Sequence, residues 1–404
     1  MHIIYDYIAM ATIFVLIFTF STASLLNVVE LPVRHITEQQ LFTRADSVLG
    51  SLLGYLGEPK NWGENITLRP EELKAVGLSR TTKTDVIYDL DPDKLSRLIP
   101  IDTGASIDKS TLYRLLNLGN DYRFFLRLTP VLNISITPLG YVPSPPAPKE
   151  GLYTSKFLVT VTTHELTPVG NVNLTVYVLT AYYDVSNKLL YYVTNETKSA
   201  TTMWNGSATF DYTTFMTELL EKEGPSSTKL VGSLLVIIGN FYGMQTVYVY
   251  KCSYTGEPTI EGIVLGKYLI FEDSGPGPIF IPIGGKSKKL GADKWDSSEC
   301  TFGGVVVTAV ENSTIYGKAP WLTIHDGKRF QVLELTYLEP DIYYIVLVAK
   351  YQGDYFLVVF PRIPVNFQVG DVVPRGTQVV GIRRIVFVEK MAFFADFYFW
   401  RTFS

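Results

Sequence analysis

The first hydrophobic feature of the chain is a long run without a charged residue, from Tyr7 to Val29. As an α-helix, a run of this length spans about 30 Å, which is enough to cross the hydrocarbon core of a bilayer. A cleaved signal peptide has a basic segment before a shorter apolar stretch, and the chain lacks that pattern. Residues 1–30 are therefore predicted to be a retained transmembrane anchor that contacts lipid through residues 7–29.

A different spacing follows in residues 31–57, where apolar side chains recur every three or four positions. This period is typical of a helix with one buried face. The apolar positions are Ile36, Leu41, Ala45, Val48, Leu49, Leu52, Leu53 and Leu56. Gly57 and Pro59 end the pattern, so residues 31–57 are predicted to be an amphipathic stalk helix that continues from the anchor.

Residues 58–137 combine short helix signals with one long strand signal. Three segments have a proline or an aspartate at the start and are predicted to be helices. They are Pro70–Val76, Lys94–Ile99 after Asp91, and Ser110–Leu118 after Asp108. Apolar and basic residues then alternate at the start of Tyr122–Thr137, as in a strand with one buried face. This part of the chain is predicted to be a small α+β base.

Strand signals dominate after residues 138–151, a stretch with five prolines that is predicted to be a semi-rigid linker. Short β runs separated by turns predict an immunoglobulin-like sandwich at residues 152–255 and a second β-domain at residues 256–375. The runs of the sandwich are Phe157–Thr163, Val172–Tyr183, Lys188–Val193, Ala208–Tyr212, Lys229–Gly239 and Thr246–Lys251. In the second β-domain, Ile342–Lys350 and Tyr355–Phe360 predict a hairpin.

Two final β runs, Val379–Glu389 and Ala392–Arg401, predict a C-terminal hairpin within residues 376–404. A single strand at Tyr122–Thr137 cannot bury its apolar face or pair its edges alone. Of the other long β runs, only Ile382–Val388 and Phe393–Trp400 share its aromatic density and its basic outward residues. The hairpin is therefore predicted to pair with that strand and complete the base, so that the β-domains between them are an insertion. The stalk residues expected to cover this sheet are Val48, Leu52 and Leu56.

Composition supports this organisation and excludes one class of partner. Charged residues make up 18% of the chain and the net charge is −4, so no basic surface for nucleic acid is expected. The abundant Val, Ile, Tyr and Phe suit strands better than helices. The predicted fold class is mainly β, with an N-terminal transmembrane and stalk helix, a small α+β base and immunoglobulin-like β-sandwich domains.

Asn-X-Ser/Thr triplets, the acceptors of N-linked glycans, occur six times after the apolar run. They begin at Asn65, Asn133, Asn173, Asn195, Asn205 and Asn312. Chance would produce about two, so the excess predicts an exported, glycosylated body, with Asn173 and Asn205 as the best candidates. In an oxidising exterior Cys252 and Cys300 are predicted to form a disulfide, and two buried thiols are the alternative.

Residues suited to catalysis or metal binding form no recognisable motif. The four histidines lack metal-ligand spacing, and the sequence has no Gly-X-Ser-X-Gly nucleophile motif. Asp89, Asp91 and Asp93 have the first spacing of a calcium loop, but Lys94 stands where a glycine is needed, so helix capping is predicted instead. No catalytic residue, metal site or cofactor is predicted.

Three other patterns have ordinary structural explanations. Gly285-Lys286-Ser287 resembles part of a phosphate-binding loop, but Phe280 replaces the first glycine, which leaves a basic surface turn. His164 and Glu165 are predicted to be exposed loop residues rather than an acid–base pair. The tryptophans are predicted to fill cores rather than to line a sugar-binding face. They are Trp62, Trp204, Trp295, Trp321 and Trp400.

Several short stretches of the first 137 residues and of the C-terminus carry a resemblance to a known family. They are Ser51-Leu52-Leu53, Gly57-Glu58-Pro59-Lys60-Asn61-Trp62-Gly63, Gly77-Leu78, Leu90-Asp91-Pro92-Asp93-Lys94-Leu95-Ser96-Arg97-Leu98, Leu116-Asn117-Leu118-Gly119 with Tyr122-Arg123-Phe124, and Ile382-Arg383-Arg384 to Trp400-Arg401. In these stretches the chain resembles archaeal type IV pilin-like membrane proteins. The resemblance implies a surface component whose N-terminal hydrophobic helix runs into an amphipathic stalk.

These features predict a non-enzymatic, single-pass protein of the cell membrane with its body outside the cell. The predicted role is structural or adhesive, or pilin-like assembly. Its expected partners are the bilayer and, for assembly, further copies or other envelope proteins. The alternative is an extracellular ligand-binding receptor or an accessory subunit of a secretion or transport complex, followed by an exported hydrolase.

Overall fold

The structure is a computed structural model, and it is mainly β within the residues that it describes. Those residues are 12, 14–20, 38–81, 88–99, 105–143, 152–184, 189–193, 197–221, 228–252, 262–272, 279–280, 301–302, 305–307, 310–314, 324–325, 328–335, 342–351, 354–364 and 367–402. At this level the predicted fold class is confirmed.

The helices of the described body are short apart from the first. They are α1 (residues 38–54), α2 (Pro92–Ser96), α3 (Lys109–Leu115) and α4 (Thr213–Glu221). Asp91 and Asp108 cap α2 and α3, because their carboxylates accept hydrogen bonds from the backbone N–H groups of Asp93 and Thr111 at 2.9 and 3.1 Å. The capping role predicted for Asp91 is confirmed.

Two helix predictions need correction. Pro70–Glu72 is a single 3₁₀ turn rather than a helix that reaches Val76. The backbone becomes extended after this turn, and the N–H of Lys74 donates to the carbonyl of Glu58 at 3.0 Å, which replaces a helical bond by a bridge between segments. Helix α4 was not predicted, although Asp211, two residues before its start, accepts a hydrogen bond from the N–H of Thr213 at 3.0 Å.

The strands are numbered in chain order. They are β1 (Asp89–Leu90), β2 (Tyr122–Pro130), β3 (Leu132–Pro143), β4 (Leu152–Thr163), β5 (Asn173–Asp184), β6 (Leu189–Val193), β7 (Thr197–Thr201), β8 (Ser207–Asp211), β9 (Thr228–Phe241), β10 (Met244–Lys251), β11 (Gly262–Leu265), β12 (Tyr268–Glu272), β13 (Ile279–Phe280), β14 (Thr301–Phe302), β15 (Val305–Val307), β16 (Val310–Thr314), β17 (Ile324–His325), β18 (Lys328–Leu335), β19 (Tyr344–Tyr351), β20 (Asp354–Pro361), β21 (Gln368–Gly370), β22 (Val379–Val388) and β23 (Met391–Arg401).

The largest described sheet joins segments from distant parts of the chain. Its order is β1-β22-β23-β10-β9-β5-β6, with β2 also paired to β23, β21 to β2 and β7 to β5. β2 is antiparallel to β23 from Tyr122 opposite Arg401 to Pro130 opposite Phe393, and β22 and β23 form the terminal hairpin. The predicted pairing between the strand that begins at Tyr122 and this hairpin is therefore confirmed.

The strand predicted as Tyr122–Thr137 is wrong in its second half. β2 ends at Pro130, and β3 begins two residues later in a different sheet of order β3-β4-β8. Pro130 has no N–H group with which to continue the ladder. The N–H of Val131 donates instead to the carbonyl of Ala392 at 3.0 Å, and the chain then crosses to the second sheet.

The segment predicted as a proline-rich linker is also partly strand. Residues 138–143 belong to β3 and pair with β4 through a register shift at Gly140. β3 is the edge of its sheet, where a proline can be accommodated without breaking a ladder on both sides. Residues 144–151 of the predicted linker lie outside the described part of the chain.

Helix α1 covers one face of the sheet formed by β2, β22 and β23. Its apolar residues and those of the sheet share one buried core. The core includes Leu41, Ala45, Leu49, Leu52 and Leu53 from α1, and Phe124, Leu126, Leu128, Val386, Phe393, Phe397 and Phe399 from the strands. Val48 packs against this core as predicted, whereas Leu56 is only half-buried.

Strand β9 lies between two cores. Leu235 and Ile237 are buried with Phe157 of the β3-β4-β8 sheet, whereas Leu234 and Val236 belong to the core that α1 covers. Successive strand residues point to opposite faces. Burial on both faces explains the continuous apolar run of residues 234–238, and it shows that sheets pack face to face here.

The described C-terminal β region contains two further sheets. One has the order β11-β12-β18-β16 with β17 on β18, and the other has the order β13-β19-β15-β14 with β20 on β19. They share a core that includes Leu269, Leu333 and Leu347. The predicted hairpin is confirmed, since β19 and β20 are antiparallel from Tyr344 opposite Pro361 to Tyr351 opposite Asp354.

The predicted anchor lies mostly outside the described residues. Thr12 and residues 14–20 are helical, and the large apolar side chains among them are exposed. In the part of the chain that the structure describes, no helix combines the length and the hydropathy needed to cross a membrane.

Candidate functional site

Helix α2 and Arg97, the residue that caps its C-terminal end, carry three charged side chains that are buried at contacts with neighbouring segments. Asp93, Lys94 and Arg97 expose 5%, 1% and 1% of their surface. Buried charges of this kind must be paired or fully hydrogen-bonded, because an unpaired charge in the interior is strongly unfavourable. Each of the three makes such contacts, and together they position a cleft.

Arg97 holds the turn of residues 61–68, which precedes the 3₁₀ turn Pro70–Glu72. Its guanidinium donates to the carbonyls of Trp62 at 2.5 Å, Leu68 at 2.8 Å and Ala105 at 2.9 Å. Burial lowers the pKa of Arg97 to about 10. The fixed fork of five N–H donors suits several carbonyls at once, so one side chain fixes the shape of residues 61–68.

Asp93 joins α2 to the C-terminal β region. Its carboxylate lies 3.3 Å from the guanidinium of Arg362. Burial raises the pKa of Asp93, and the positive charge of Arg362 opposes that rise. Lys94 beside it donates to the carbonyl of Ser79 at 2.7 Å, and burial lowers its pKa.

The turn between β11 and β12 approaches the base closely at Gly266. Its φ is +54°, and a Cβ atom at this position would stand 3.0 Å from Cβ of Glu64. A residue with a side chain would therefore be strained by both the backbone conformation and the contact. Glycine allows the two segments to form adjacent walls.

A cleft of about 620 Å³ lies between these walls. Its lining is polar apart from one isoleucine and the ring of one tyrosine. The lining residues are Asn61, Glu64, Asn65, Ile66, Thr67, Arg80, Gly266, Lys267, Tyr268 and Arg362. Clefts of about 300–1,000 Å³ are typical of sites for small molecules.

The cations that line this cleft already have acidic neighbours. Arg80 pairs with Glu389, Lys267 pairs with Glu334, and Arg362 pairs with Asp93. Glu64 adds a further carboxylate to the lining. The local charge is therefore balanced, and the cleft offers hydrogen-bonding groups of both kinds rather than a strong field for an anion.

The predicted glycosylation sites fall in different settings. Asn173 is exposed at the start of β5, Asn205 is exposed in a turn, and Asn65 is half-buried in the cleft wall. Asn133 lines a smaller cavity of about 140 Å³, and Asn312 belongs to β16. Asn195 lies outside the described residues. Glycosylation of these asparagines stays a prediction.

Asn65 and Asn205 share one local geometry. Oδ1 of Asn65 accepts from the N–H of Thr67 at 3.1 Å and from its hydroxyl at 2.7 Å. Oδ1 of Asn205 accepts from the N–H and hydroxyl of Ser207 at 3.2 and 2.8 Å. In both turns the carboxamide oxygen is held by the third residue of the triplet, which orients the side chain.

The cysteine prediction stays untested. Cys252 is buried in the core between the β3-β4-β8 sheet and β9, and burial raises the pKa of its thiol. Cys300 lies outside the described residues, as does the Gly285-Lys286-Ser287 turn. In the described part of the chain, no group of His, Cys, Asp and Glu side chains is arranged to hold a metal ion.

His164 is less exposed than predicted. Its ring lies 4.9 Å from the ring of Phe394 and its Nε2 is 3.4 Å from Arg383, both on the outer face of the base sheet. Glu165 is exposed, with a carboxylate oxygen 3.5 Å from the same Nε2. The loop is thus a contact between the β3-β4-β8 sheet and the base.

The core prediction for tryptophan holds for two of the residues and is wrong for a third. Trp62 and Trp400 are buried, whereas Trp204 is 90% exposed in a turn between strands. Trp62 also donates from Nε1 to the carbonyl of Gly77 at 3.1 Å. Trp295 and Trp321 lie outside the described residues.

Sequence reasoning did not identify the cleft or the buried charges behind it. Arg97 was noted only within a stretch that resembles pilin-like proteins, and Asp93 otherwise only as a helix-capping residue, because α2 is too short to show a buried face by periodicity. The one available signal was the close succession of Asp, Lys and Arg beside leucines. Arg362 and Gly266 lie far away in sequence and gave no signal.

Comparison with known proteins adds no family to this description. No family model matches the chain, and no curated protein shows significant sequence similarity to it. Function has to be inferred from the residues and their geometry.

Proposed function

We propose that this chain is a non-enzymatic, membrane-anchored protein of the cell surface with a pilin-like plan. In this proposal the N-terminal apolar helix lies in the bilayer, α1 and its sheet form the base, and immunoglobulin-like β regions project from it. The role is structural or adhesive, or assembly with further copies or other envelope proteins. The mainly β body and the sheet that joins both ends of it are compatible with this plan.

The observation that carries the proposal is the exposure of apolar side chains on the helical residues 14–20. Six large side chains here expose between 59% and 79% of their surface. They are Phe14, Val15, Leu16, Ile17, Phe18 and Phe20. Exposure on consecutive residues means that every side of the helix is apolar, which favours lipid as its surroundings over a single packed interface.

The polar residue within this segment is also compatible with lipid. The hydroxyl of Thr19 donates to the carbonyls of Val15 and Leu16 at 2.7 and 3.1 Å. A hydroxyl that bonds within its own helix can enter hydrocarbon without an unsatisfied donor.

The base would connect the proposed membrane anchor to the rest of the body. α1 packs along β2, β22 and β23, and side chains at its margins add polar contacts. The guanidinium of Arg44 lies 4.1 Å from the ring of Tyr122, and Asp46 pairs with Arg384. A helix held along its length by a sheet is a rigid mount for the projecting β regions.

The proposal is tested by membrane retention of the full chain. We expect the protein to stay in the membrane fraction after high-salt and alkaline washing, because apolar burial does not depend on charge. Leu16→Lys should reduce retention, since a lysine at the centre of a span costs about 2.5–3.5 kcal/mol. Leu16→Ile is the matched control. Release of the unmodified chain by salt alone would contradict the proposal.

A second candidate function is an extracellular ligand-binding receptor or an accessory subunit of a transport complex. The polar cleft of about 620 Å³ favours it. Imaging of native cell envelopes separates the two, because filaments that contain this chain support assembly, whereas isolated stalks support the receptor.

A further inference from the structure

We propose that the cleft between the base and the β11–β12 turn holds a saccharide, and that this saccharide is the glycan attached to Asn65. This inference rests on the proposed export of the body, because N-glycosylation requires it. It goes further by assigning an occupant to a particular site. The covalent glycan would then contact two segments of the chain that are distant in sequence.

The position of Asn65 is the first argument. Among the predicted acceptor residues that the structure describes, Asn65 lines the large cleft, and the next residues Ile66 and Thr67 line it as well. The bonds from Thr67 engage Oδ1 of the carboxamide. These two bonds fix the orientation of the carboxamide. They leave Nδ2, the nitrogen to which a sugar is joined, on the side away from Thr67.

The chemistry of the walls is the second argument. Sugars present many hydroxyl groups, each of which can donate and accept, together with apolar C–H faces. The cleft supplies amide and carboxylate oxygens, hydroxyl and guanidinium groups, and the ring of Tyr268. This mixture meets both needs, since polar groups fix hydroxyls and an aromatic ring accepts an apolar face.

The charge balance is the third argument. An anionic ligand would require cations that are not already neutralised, and Arg80, Lys267 and Arg362 each pair with a carboxylate. A neutral polyhydroxyl ligand does not compete with those pairs. Its hydroxyls can instead extend them by further hydrogen bonds, because guanidinium and carboxylate groups have capacity for several.

The rigidity of the walls is the fourth argument. The turn of residues 61–68 is held by Arg97, and the opposite wall is fixed by the Asp93–Arg362 pair and the close approach of Gly266 to Glu64. A preformed cleft loses little conformational freedom when it is filled. A glycan on Asn65 is also already tethered, so its effective concentration at the cleft is high.

The test compares two substitutions at one position in the full chain. Thr67→Val removes the triplet, whereas Thr67→Ser keeps it, and both leave Asn65 in place. Each variant is made in a host that glycosylates the protein and in one that does not. We measure glycan occupancy by mass spectrometry and amide hydrogen exchange of residues 262–268.

In the glycosylating host we expect exchange at residues 262–268 to be about fivefold faster or more in Thr67→Val than in Thr67→Ser. In the non-glycosylating host the two variants should exchange alike, which separates the glycan from the lost hydroxyl. The pair Ser207→Ala and Ser207→Thr is the matched control at the exposed Asn205, and it should leave residues 262–268 unchanged.

Three results would overturn the inference. The first is a bare Asn65 in the native protein while Asn173 or Asn205 carries a glycan, which leaves the proposed export intact. The second is an occupied Asn65 without any difference in exchange between the Thr67 variants. The third is protection of residues 262–268 by added free oligosaccharide in a native protein whose Asn65 is bare, which would assign the cleft to an external sugar.

Discussion

Two regions of the molecule are held together by different interactions. One is the base sheet with α1, and the other is the α2 junction, where Asp93 and Arg97 join α2 to the C-terminal β region and to residues 61–68. α1 lies on β2, β22 and β23 through leucines and phenylalanines that are almost fully buried. α2 contacts the C-terminal β region through Asp93 and the turn of residues 61–68 through Arg97, both of them buried charges. Apolar burial provides stability over a broad area, whereas buried charges favour one geometry because each needs its partner.

This difference also separates what each region can do. A broad apolar contact, such as that of α1 with its sheet, suits a base that supports other domains, because it does not depend on the position of any single atom. A junction of paired charges suits a cleft, since its walls must keep their spacing for polar groups to reach a ligand. The comparison predicts that the base is destabilised mainly by changes that remove buried apolar surface. The contacts of Asp93 and Arg97 are predicted to be destabilised by the change of a single charged group.

The largest effect is expected from removal of residues 380–404. This deletion removes most of β22 and all of β23, and with them the longer pairing of β2 and core residues that α1 covers, such as Val386, Phe397 and Phe399. We expect the base to unfold, so that α1 loses protection from amide exchange. Strands β4 and β8, whose core lies elsewhere, should keep theirs. Equal loss of protection in both regions would contradict this division.

A smaller effect is expected from Phe124→Ala. Phe124 is fully buried and stacks on Phe397 with ring centroids 5.5 Å apart. Removal of a buried phenylalanine ring costs about 3–5 kcal/mol of unfolding free energy. Phe125 on the opposite face is the matched control. It is half-buried, so Phe125→Ala should cost clearly less in the same urea titration.

The junction should respond to a change of very few atoms. Asp93→Asn keeps the shape of the side chain but removes the negative charge that lies 3.3 Å from the guanidinium of Arg362. We expect a loss of about 1.5–3 kcal/mol, the range for hydrogen bonds to charged groups. Adding Arg362→Met should restore part of this loss of unfolding free energy, because the positive charge that Asp93 balances is then removed as well. If the double variant were as unstable as the sum of the single variants, the pair would not be coupled.

The smallest effect is a pH dependence on the outer face of the base sheet. Burial alone would raise the pKa of Asp396, but hydrogen bonds and charges from Arg383 and Arg127 outweigh it, and the pKa is lowered below 3.8. Asp396 therefore stabilises the fold at any pH above the pKa that its carboxyl has in the unfolded chain. This contribution is lost as the pH falls through the lower pKa of the same carboxyl in the folded protein.

Asp396→Asn tests this sign. The variant should lose stability near neutral pH and show a shallower fall in unfolding free energy below pH 4 than the unmodified chain. Denaturant titrations across that pH range provide the measurement. An unchanged slope would mean that other carboxylates account for the acid sensitivity of this sheet.

The local features of the fold could be predicted from the sequence because they depend on neighbouring residues. The three- and four-residue spacing of leucines identified the buried face of α1, and Asp91 and Asp108 identified the starts of α2 and α3. Alternation of Phe124, Leu126 and Leu128 identified the buried face of β2. The need of such a strand for partners, together with the similar aromatic density and basic residues of the two terminal runs and the resemblance to pilin-like proteins, predicted its pairing with the terminal hairpin.

Tertiary structure decided the features that depend on residues distant in the chain. The period of two continues unchanged from β2 into β3, so the change of sheet after Pro130 was not visible in the pattern. The cleft exists because Gly266 and Arg362 meet the turn that Arg97 holds. Short-range patterns report which face of an element is buried, whereas the partner that buries it is determined by packing across the whole molecule.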